Sequence, residues 1–564
     1  MEKLKPKLFS VMKHYSKEQF VKDIISGIIV AIIALPLSIA LAIASGVEPV
    51  QGLYTAIVAG FFISFLGGSR VQIGGPTAAF VTIIYGIQAQ YGYDGLVVAT
   101  VMAGAILIIM GFCRFGSLIK YIPYTITTGF TAGIAVTLAG GQLKDFLGLT
   151  IKSVPSDFID KMICFAKHFE TINLMAFGIG LIALFIHIIW PFILRHLPKK
   201  ALVIADKLPA SLLAIIITTL LVKCLSLDVP TIGSAYKSVS SALPKFSIPN
   251  VNLQLVKNLI SPAFTIAILA GIESLLSCVV SDGMIGSKHR SNMELIAQGT
   301  GNIFSALFGG IPATGAIART AANVKNGGRT PIAGMVHSVT LILVLVLFMP
   351  YAKMIPMPTL AAVLIMVAYN MCGWREFVRL CKHSPKSDIL VLLATFFLTV
   401  IFDLVVAIEV GIVLAAILFM KRMSDVTTMQ GWDYLDDGED NENDPDSISY
   451  KDVPMGVAVY EIIGPMFFAA TDKFLDVTTA EHGDVKVVII RMRGVPALDV
   501  TALHSLEGLV TTCKKKNIKL LFSHVQEQPY RAMEKAGFTQ LVGKENFREN
   551  IDDALEYAGA LLEK

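Results

Sequence analysis

Residues 24–43, "IISGIIVAIIALPLSIALAI", run without a single charged side chain. Roughly 20 apolar residues in a helix cross the hydrocarbon core of a bilayer. Inside that core every backbone N–H and C=O needs a partner within the protein. Comparable apolar segments recur at about 53–66, 78–89, 95–113, 123–142, 175–195, 208–225, 258–279, 294–309, 316–326, 331–349, 357–372, 387–402 and 404–420. The pattern predicts an all-α polytopic membrane domain of fourteen segments, over residues 24–422, after an N-terminal stretch 1–23. Only 16% of residues are charged, against about a quarter in soluble domains. The third and tenth segments are too short to cross alone.

Charge sets the orientation. An even count puts both termini on one side. Arg70, Arg114, Lys120, Arg195, Lys199, Lys200, Lys207, Lys288, Arg290, Lys325, Arg329, Arg375, Arg379, Lys382 and Lys386 fall in loops on that side. The opposite loops "ASGVEPVQG" and "QYGYDG" carry no Lys or Arg. The positive-inside bias makes that side, and both termini, cytoplasmic. No cleavage site follows the basic leader, which reads as leading into a retained first helix.

The same composition excludes several functions. A net charge of +4 gives no basis for nucleic-acid binding. Cys113, Cys164, Cys224, Cys278, Cys372, Cys381 and Cys513 are scattered, without metal-ligand spacing or a disulfide framework. No metal or cofactor is expected. No nucleophile–base pair points to an enzyme, and "KNGGRTP" lacks the spacing of a phosphate loop.

After Arg422 the chemistry changes. "GWDYLDDGEDNENDPDSISY" is acidic and aperiodic, so 423–455 is expected as a solvated linker. From Gly456 the pattern is soluble α/β, with strands at "GVAVYEII", "VKVVIIRM" and "IKLLFSHV". Helices are expected at "TALHSLEGLVTTCKKK", "YRAMEKAG" and "ENIDDALEYAGALLEK". Residues 456–564 are long enough for one small domain.

The two short segments begin alike: "GGPTAAF" at 74–80 and "GGIPATGAIAR" at 309–319. They occupy matching places in two sets of seven, the signature of an inverted repeat. Extended backbone followed by helix at membrane depth survives only where protein or a water cavity satisfies it. The two helix starts would face each other near the midplane, each with free N–H groups and about half a positive charge. Such ends form an anion site without a dedicated ligand. Ala78, Ala79, Gly315 and Ala316 are small enough for backbone approach, Thr77 adds a hydroxyl, and Phe80 flanks the pocket or belongs to the core. Arg319, about one turn in, should face the cavity or a carboxylate. Glu273 lies in the apolar "AILAGIESLLSCVV", with Ser277 one turn later on the same face. A carboxyl group there can take up and release a proton, or else it pairs statically with Arg319 or caps a backbone break. Asp403 is expected at the outer interface and Glu409 packed within the membrane domain, while Asp282, Lys288 and Arg290 read as solvated loop residues. Tyr85 reads as core.

The chain resembles the sulfate permease (SulP) family of anion transporters over nearly its whole length. The match rests on "ALPLSIALAIASGVEPVQGLY", "GGPTAAF", "GIESLLSCVVSDG", "GGIPATGAIARTAANVKNGGRTPIAG" and a C-terminal region similar to a STAS domain. The resemblance implies a 7+7 inverted repeat, split into a core (segments 1–4 and 8–11) and a gate (5–7 and 12–14). It also implies elevator-like motion and a homodimer. It places substrate-contacting positions of the first segment at Leu37 and Leu41, with Ser38 between them. In the tenth segment it places backbone contacts at Gly315, Ala316 and Ile317. Sodium-coupled relatives resemble an Asp at the Glu273 position, with hydroxyls at the Ser277 and Ile317 positions. The longer acid and the apolar Ile317 favour a proton instead. In the STAS-like region Thr501 matches a phosphorylatable position, with Asp499 as the preceding acid. Val500 and Ala502 depart from the family pattern, and Thr501 as a helix N-cap is the simpler reading.

The expected function is a multi-pass cell-membrane transporter that moves a small anion by proton symport. Sulfate, a C4-dicarboxylate or bicarbonate are the anions in view, and a regulatory protein at the STAS domain is a further expected partner. Sodium-coupled bicarbonate transport, a nucleobase symporter of the related fold and an anion sensor signalling through STAS stay open as alternatives. A nucleobase site would resemble a carboxylate pair, where the tenth segment here offers Arg319.

Overall fold

A computed structural model describes residues 4–117, 122–151, 154–155, 157–196, 198, 205, 208–236, 241–249, 251–402, 404–432, 447–467 and 485–563. It divides into two units, Met1–Ile412 and Val413–Lys564.

The first unit is helical. Ser16 caps α1 (Lys17–Ala44) by accepting the Gln19 N–H, and Pro49 with a Glu48–Gln51 capping box starts α2 (Pro49–Leu66). A two-residue strand β1 (Gly74–Gly75) follows, then α3 (Val81–Phe112). Gly92, at φ 67°, breaks α3 into the expected third and fourth segments. Next come α4 (Tyr124–Gly141), α5 (Phe158–Lys167), α6 (Leu174–His196) and α7 (Ala210–Cys224). The second half holds α8 (Leu253–Ile285), α9 (Ser291–Leu307), β2 (Thr314–Gly315) and α10 (Ile317–Lys325). It continues with α11 (Ile332–Ala352), α12 (Met357–Cys372), α13 (Trp374–His383), α14 (Lys386–Ile401) and α15 (Leu404–Val426). Seven helices among the described residues are long and apolar enough to span a membrane. The expected segments all fall on helices. The amphipathic α5 and α13 are additional, lying between segments.

Small residues set the tightest packing. A Cβ on Gly104 of α3 would lie 2.6 Å from the Gly299 carbonyl oxygen, and one on Gly299 of α9 would lie 2.4 Å from the Gly104 oxygen. Only glycine lets the two backbones meet so closely, the usual device where apolar helices gain little from hiding from lipid. A core cluster of Leu41, Leu53, Ala56, Leu345 and Leu360 joins α1, α2, α11 and α12.

The division between the units falls inside α15. The second unit holds a five-stranded sheet of order β3-β4-β5-β6-β7 (Thr428–Trp432, Val457–Ile463, Val487–Gly494, Lys519–Ser523, Phe547–Arg548). The β3–β4 pair is antiparallel and the rest parallel. Parallel strands need cover on both faces. One face packs Leu503, Leu506 and Leu509 of α16 (Val500–Lys515). The other packs Ile551, Ala554 and Leu555 from the helix Ile551–Leu562. The Glu461 carboxylate pairs with Arg491 Nη1 at 3.3 Å and Arg493 Nε at 2.6 Å on neighbouring strands.

Two expectations change here. The stretch expected as linker is partly structured: α15 runs on to Val426, and Thr428–Trp432 joins the sheet because its backbone pairs with β4. Residues 433–446, the most acidic part, lie outside the described residues. The N-cap of α16 is Asp499, whose carboxylate accepts the Ala502 N–H at 2.8 Å. Thr501 is exposed, two positions past the cap and already inside the helix.

Candidate functional site

β1 and β2 pair antiparallel, Gly74 with Gly315 and Gly75 with Thr314. Helical structure begins just beyond each strand, at Ala78 and at Ile317. The two interrupted segments therefore cross as extended chain and turn helical on leaving the crossing. In α10 the Thr320 N–H bonds to the Ala316 oxygen at 2.9 Å, so the amides of 317–319 have no acceptor within the helix.

Buried extended backbone needs partners, and side chains supply them. Glu294 accepts the Gly68 and Ser69 N–H groups at 2.8 and 3.0 Å. Asn323 donates to the Val71 oxygen, and Thr320 accepts the Ile73 N–H. Opposite them, Thr55 accepts the Ile311 N–H at 2.7 Å. Asn302 both accepts the Ala313 N–H and donates to the Ala313 oxygen, each at 2.8 Å. Gln72 ties the crossing to α8: its amide donates to the Ser274 oxygen and its carbonyl accepts from Ser277 at 2.9 Å. Left unmade, each such bond would cost several kcal/mol, on the order of 2–7.

Arg319 is 1% exposed. Its Nη2 donates to Ser38 Oγ at 3.2 Å and to the Pro76 oxygen at 3.1 Å. A Cβ on Gly75 would sit 2.2 Å from Arg319 Nη1, so a side chain there would push the guanidinium out of its place beside the first strand. Arg319 Nε and Nη1 have no hydrogen-bond partner, and no ion pair to Glu273 forms among the described residues. The guanidinium thus lies behind the crossing rather than opposite a carboxylate or in open solvent. Neighbouring His337 of α11 is also fully buried, with neither ring nitrogen hydrogen-bonded among the described residues.

Residues 20–395 match the sulfate permease family, and residues 451–554 the STAS domain. The chain belongs to the sulfate permease family. A Bacillus subtilis (strain 168) protein named "Putative sulfate transporter YvdB" is 39% identical over 544 residues, 96% of this chain and 98% of that one. The solved transmembrane domain of a cyanobacterium bicarbonate transporter, BicA, matches 70% of this chain and 98% of its own at 26% identity and TM-score 0.60. The structure of murine Slc26a9 anion transporter in the inward-facing state shares the fold, at TM-score 0.85 and 18% identity over 99% of this chain and 94% of that one. This sulfate permease family member is a multi-pass plasma-membrane protein and a secondary transporter of a small anion, not an enzyme.

Within this family member the expected site residues separate into two layers. Glu273 is half-buried on α8, and its Oε2 accepts the Thr77 hydroxyl at 2.9 Å. Thr77, Leu37 and Ile317 are partly open, Ile317 at 42%. Ala78, Ala79, Gly315 and Ala316 are buried at the helix starts. Ser38, Leu41 and Phe80 lie deeper, with at most 2% of their surface exposed. Leu41 is buried in the core cluster with Leu53, Leu345 and Leu360, so it fills core; Phe80 is wholly enclosed, and Ser38 serves Arg319. Ser277 shares the Glu273 helix, but its hydroxyl is spent on Gln72.

Other residues also differ from expectation. Asp282, in the last turn of α8, accepts the His289 N–H and ring, and Arg290, just before α9, donates to the Lys5 oxygen and Ser10, so both tie down neighbouring chain rather than standing free in solvent. Glu409 is exposed on α15, and Asp403 lies outside the described residues. Tyr85 is half-buried and lines a cavity. Gln72, Glu294, Asn302 and Thr320 were not singled out from sequence. Their signal was there: polar side chains inside or beside segments otherwise apolar, close to the two Gly-Gly breaks.

Proposed function

We propose that the protein carries a small anion by proton symport, with elevator-type alternating access. The anion binds between the starts of the two half-helices, at the amides after Thr77 and Ala316. The observation that carries this reading is the Gly74–Gly315 crossing, from which two helices begin, their first N–H groups without an acceptor inside the helix, beside a buried arginine. Helix ends and a guanidinium select for charge and size. Sulfate, a C4-dicarboxylate and bicarbonate all qualify, and the names of the Bacillus and cyanobacterial relatives favour sulfate and bicarbonate.

Glu273 supplies the coupling. Its carboxylate contacts Thr77, at the mouth of the first half-helix. An ionised carboxylate there repels an arriving anion, and a protonated one admits it. Proton and anion then load together. A sodium ion would need oxygen ligands beside Glu273. The Ser277 hydroxyl is committed to Gln72 and Ile317 has none to offer, which favours the proton. The positive-inside bias supports cytoplasmic termini. Association into a homodimer and a regulatory partner at the STAS domain belong to the same proposal, with Thr501 exposed for modification.

The test is uptake by the purified protein in proteoliposomes. Sulfate, fumarate, succinate, bicarbonate and nitrate compete in turn, with and without a proton gradient. Uptake of one anion that rises with inward proton gradient is expected. Uptake driven by sodium alone would replace the coupling ion, and anion binding without flux would favour a sensor.

A further inference from the structure

Two cavities open along the first half-helix beyond the crossing. One, of about 600 Å³, reaches Ala79 at the helix start. The other, of about 760 Å³, is lined by Tyr85, Gln142, Lys144, Asp145 and Lys161 among others. Thr82 and Thr137 line both, so the two spaces adjoin.

Their charges are not equivalent. Lys144 Nζ lies 3.9 Å from Asp145 Oδ1, so that cation has a counter-charge at hand. Lys161 of α5 has no carboxylate within 4 Å among the described residues. Its ammonium instead sits 4.7 Å from the centre of the Tyr85 ring, and Tyr85 is held by donating its hydroxyl to the Val154 oxygen. Burial pushes the Lys161 pKa down, the mark of an ammonium partly stripped of water. Asp157, one turn earlier, is exposed and lines the other cavity; its charge pulls the Lys161 ammonium toward the charged form, but less than burial pushes it away. A half-dehydrated cation on a ring face, with no carboxylate in contact among the described residues, attracts anions and is readily drawn off the ring.

We infer that the larger cavity is a vestibular anion site, where Lys161 holds the transported anion before it passes Thr82 and Thr137 to the half-helix starts. The inference rests on the half-helix reading of the transport site. Lys161 sets capture, and the crossing sets translocation.

Reconstituted full-length protein tests this with radiolabelled sulfate, fumarate and bicarbonate, each over a concentration series at low and high ionic strength. In Lys161→Gln the half-saturating concentration of the transported anion should rise about three- to tenfold at low salt, with the maximal rate within about twofold of the unmodified protein. Lys161→Arg should restore it, and the difference should shrink at high salt. An unchanged half-saturation, or a fall confined to the maximal rate, overturns the vestibular site. Arg319→Gln separates the two claims. If it transports as the unmodified protein does, the half-helix site is wrong whatever Lys161 does. If it fails while Lys161→Gln matches the unmodified protein, only the vestibule is wrong. No saturable uptake of any of the three anions overturns both.

Discussion

Replacing Glu273 by Gln isolates the coupling step. Three acids of the membrane unit lie at or near the interrupted segments, and their partners distinguish them. Asp23 accepts from Tyr15, Gln19, Thr330 and the Arg329 N–H. Glu294 accepts two backbone amides and Gln298. Both are committed to holding backbone. Among the described residues Glu273 has the Thr77 hydroxyl alone, and it is partly open. One such carboxyl carries one proton per cycle. A gradient of one pH unit is worth about 1.4 kcal/mol per proton. With the membrane potential clamped at zero, that sustains an anion ratio of about tenfold across the membrane. Gln keeps the shape and a hydrogen-bonding oxygen for Thr77 but carries no exchangeable charge. Glu273→Gln should therefore bind the anion and exchange it across the membrane, yet accumulate it no further than a ratio of about one. The assay is radiolabelled anion uptake into vesicles with imposed pH steps, beside counterflow without a gradient. Accumulation by the Gln variant would refute the coupling role. A ratio of about a hundredfold per pH unit in the unmodified protein would require a second proton carrier and refute the one-carboxyl argument.

Gln72→Leu should cost about 2–4 kcal/mol, since Ser277 and Thr320 lose a buried acceptor, and should lower both the thermal unfolding midpoint in detergent and the transport rate. His337→Leu removes a buried ring whose nitrogens find no hydrogen-bond partner among the described residues, so unfolding in the same assay should move by less than about 1 kcal/mol or shift toward greater stability. Asp499→Ala should destabilise the second unit by about 1 kcal/mol, whereas Thr501→Ala should stay within about 0.5 kcal/mol; equal effects would contradict the cap assignment.

The sequence alone determined the membrane class, the helical segments and the place of the two breaks. Each follows from local chemistry: runs of apolar residues can only be helices in lipid, and Gly-Gly with Pro cannot continue one. The α/β pattern of the second unit was equally local, because buried parallel strands are apolar throughout. Strand β3 was missed because "TMQGW" beside an acidic run has no period of its own and is a strand only through its pairing with β4.

What the tertiary structure decided was which polar atoms meet. Arg319 was legible as a costly charge, but not that it passes Gly75 to reach Ser38 and Pro76, more than two hundred residues away in the chain. Helical spacing put Ser277 on the face of Glu273, and only the fold showed its hydroxyl turned to Gln72. Leu41 and Leu37 are one turn apart on one helix, yet the core cluster encloses the first and leaves the second partly open. Periodicity fixes a residue's direction about its own helix axis. Whether that direction meets a side chain, a strand or a cavity depends on segments distant in sequence, and no local pattern encodes it.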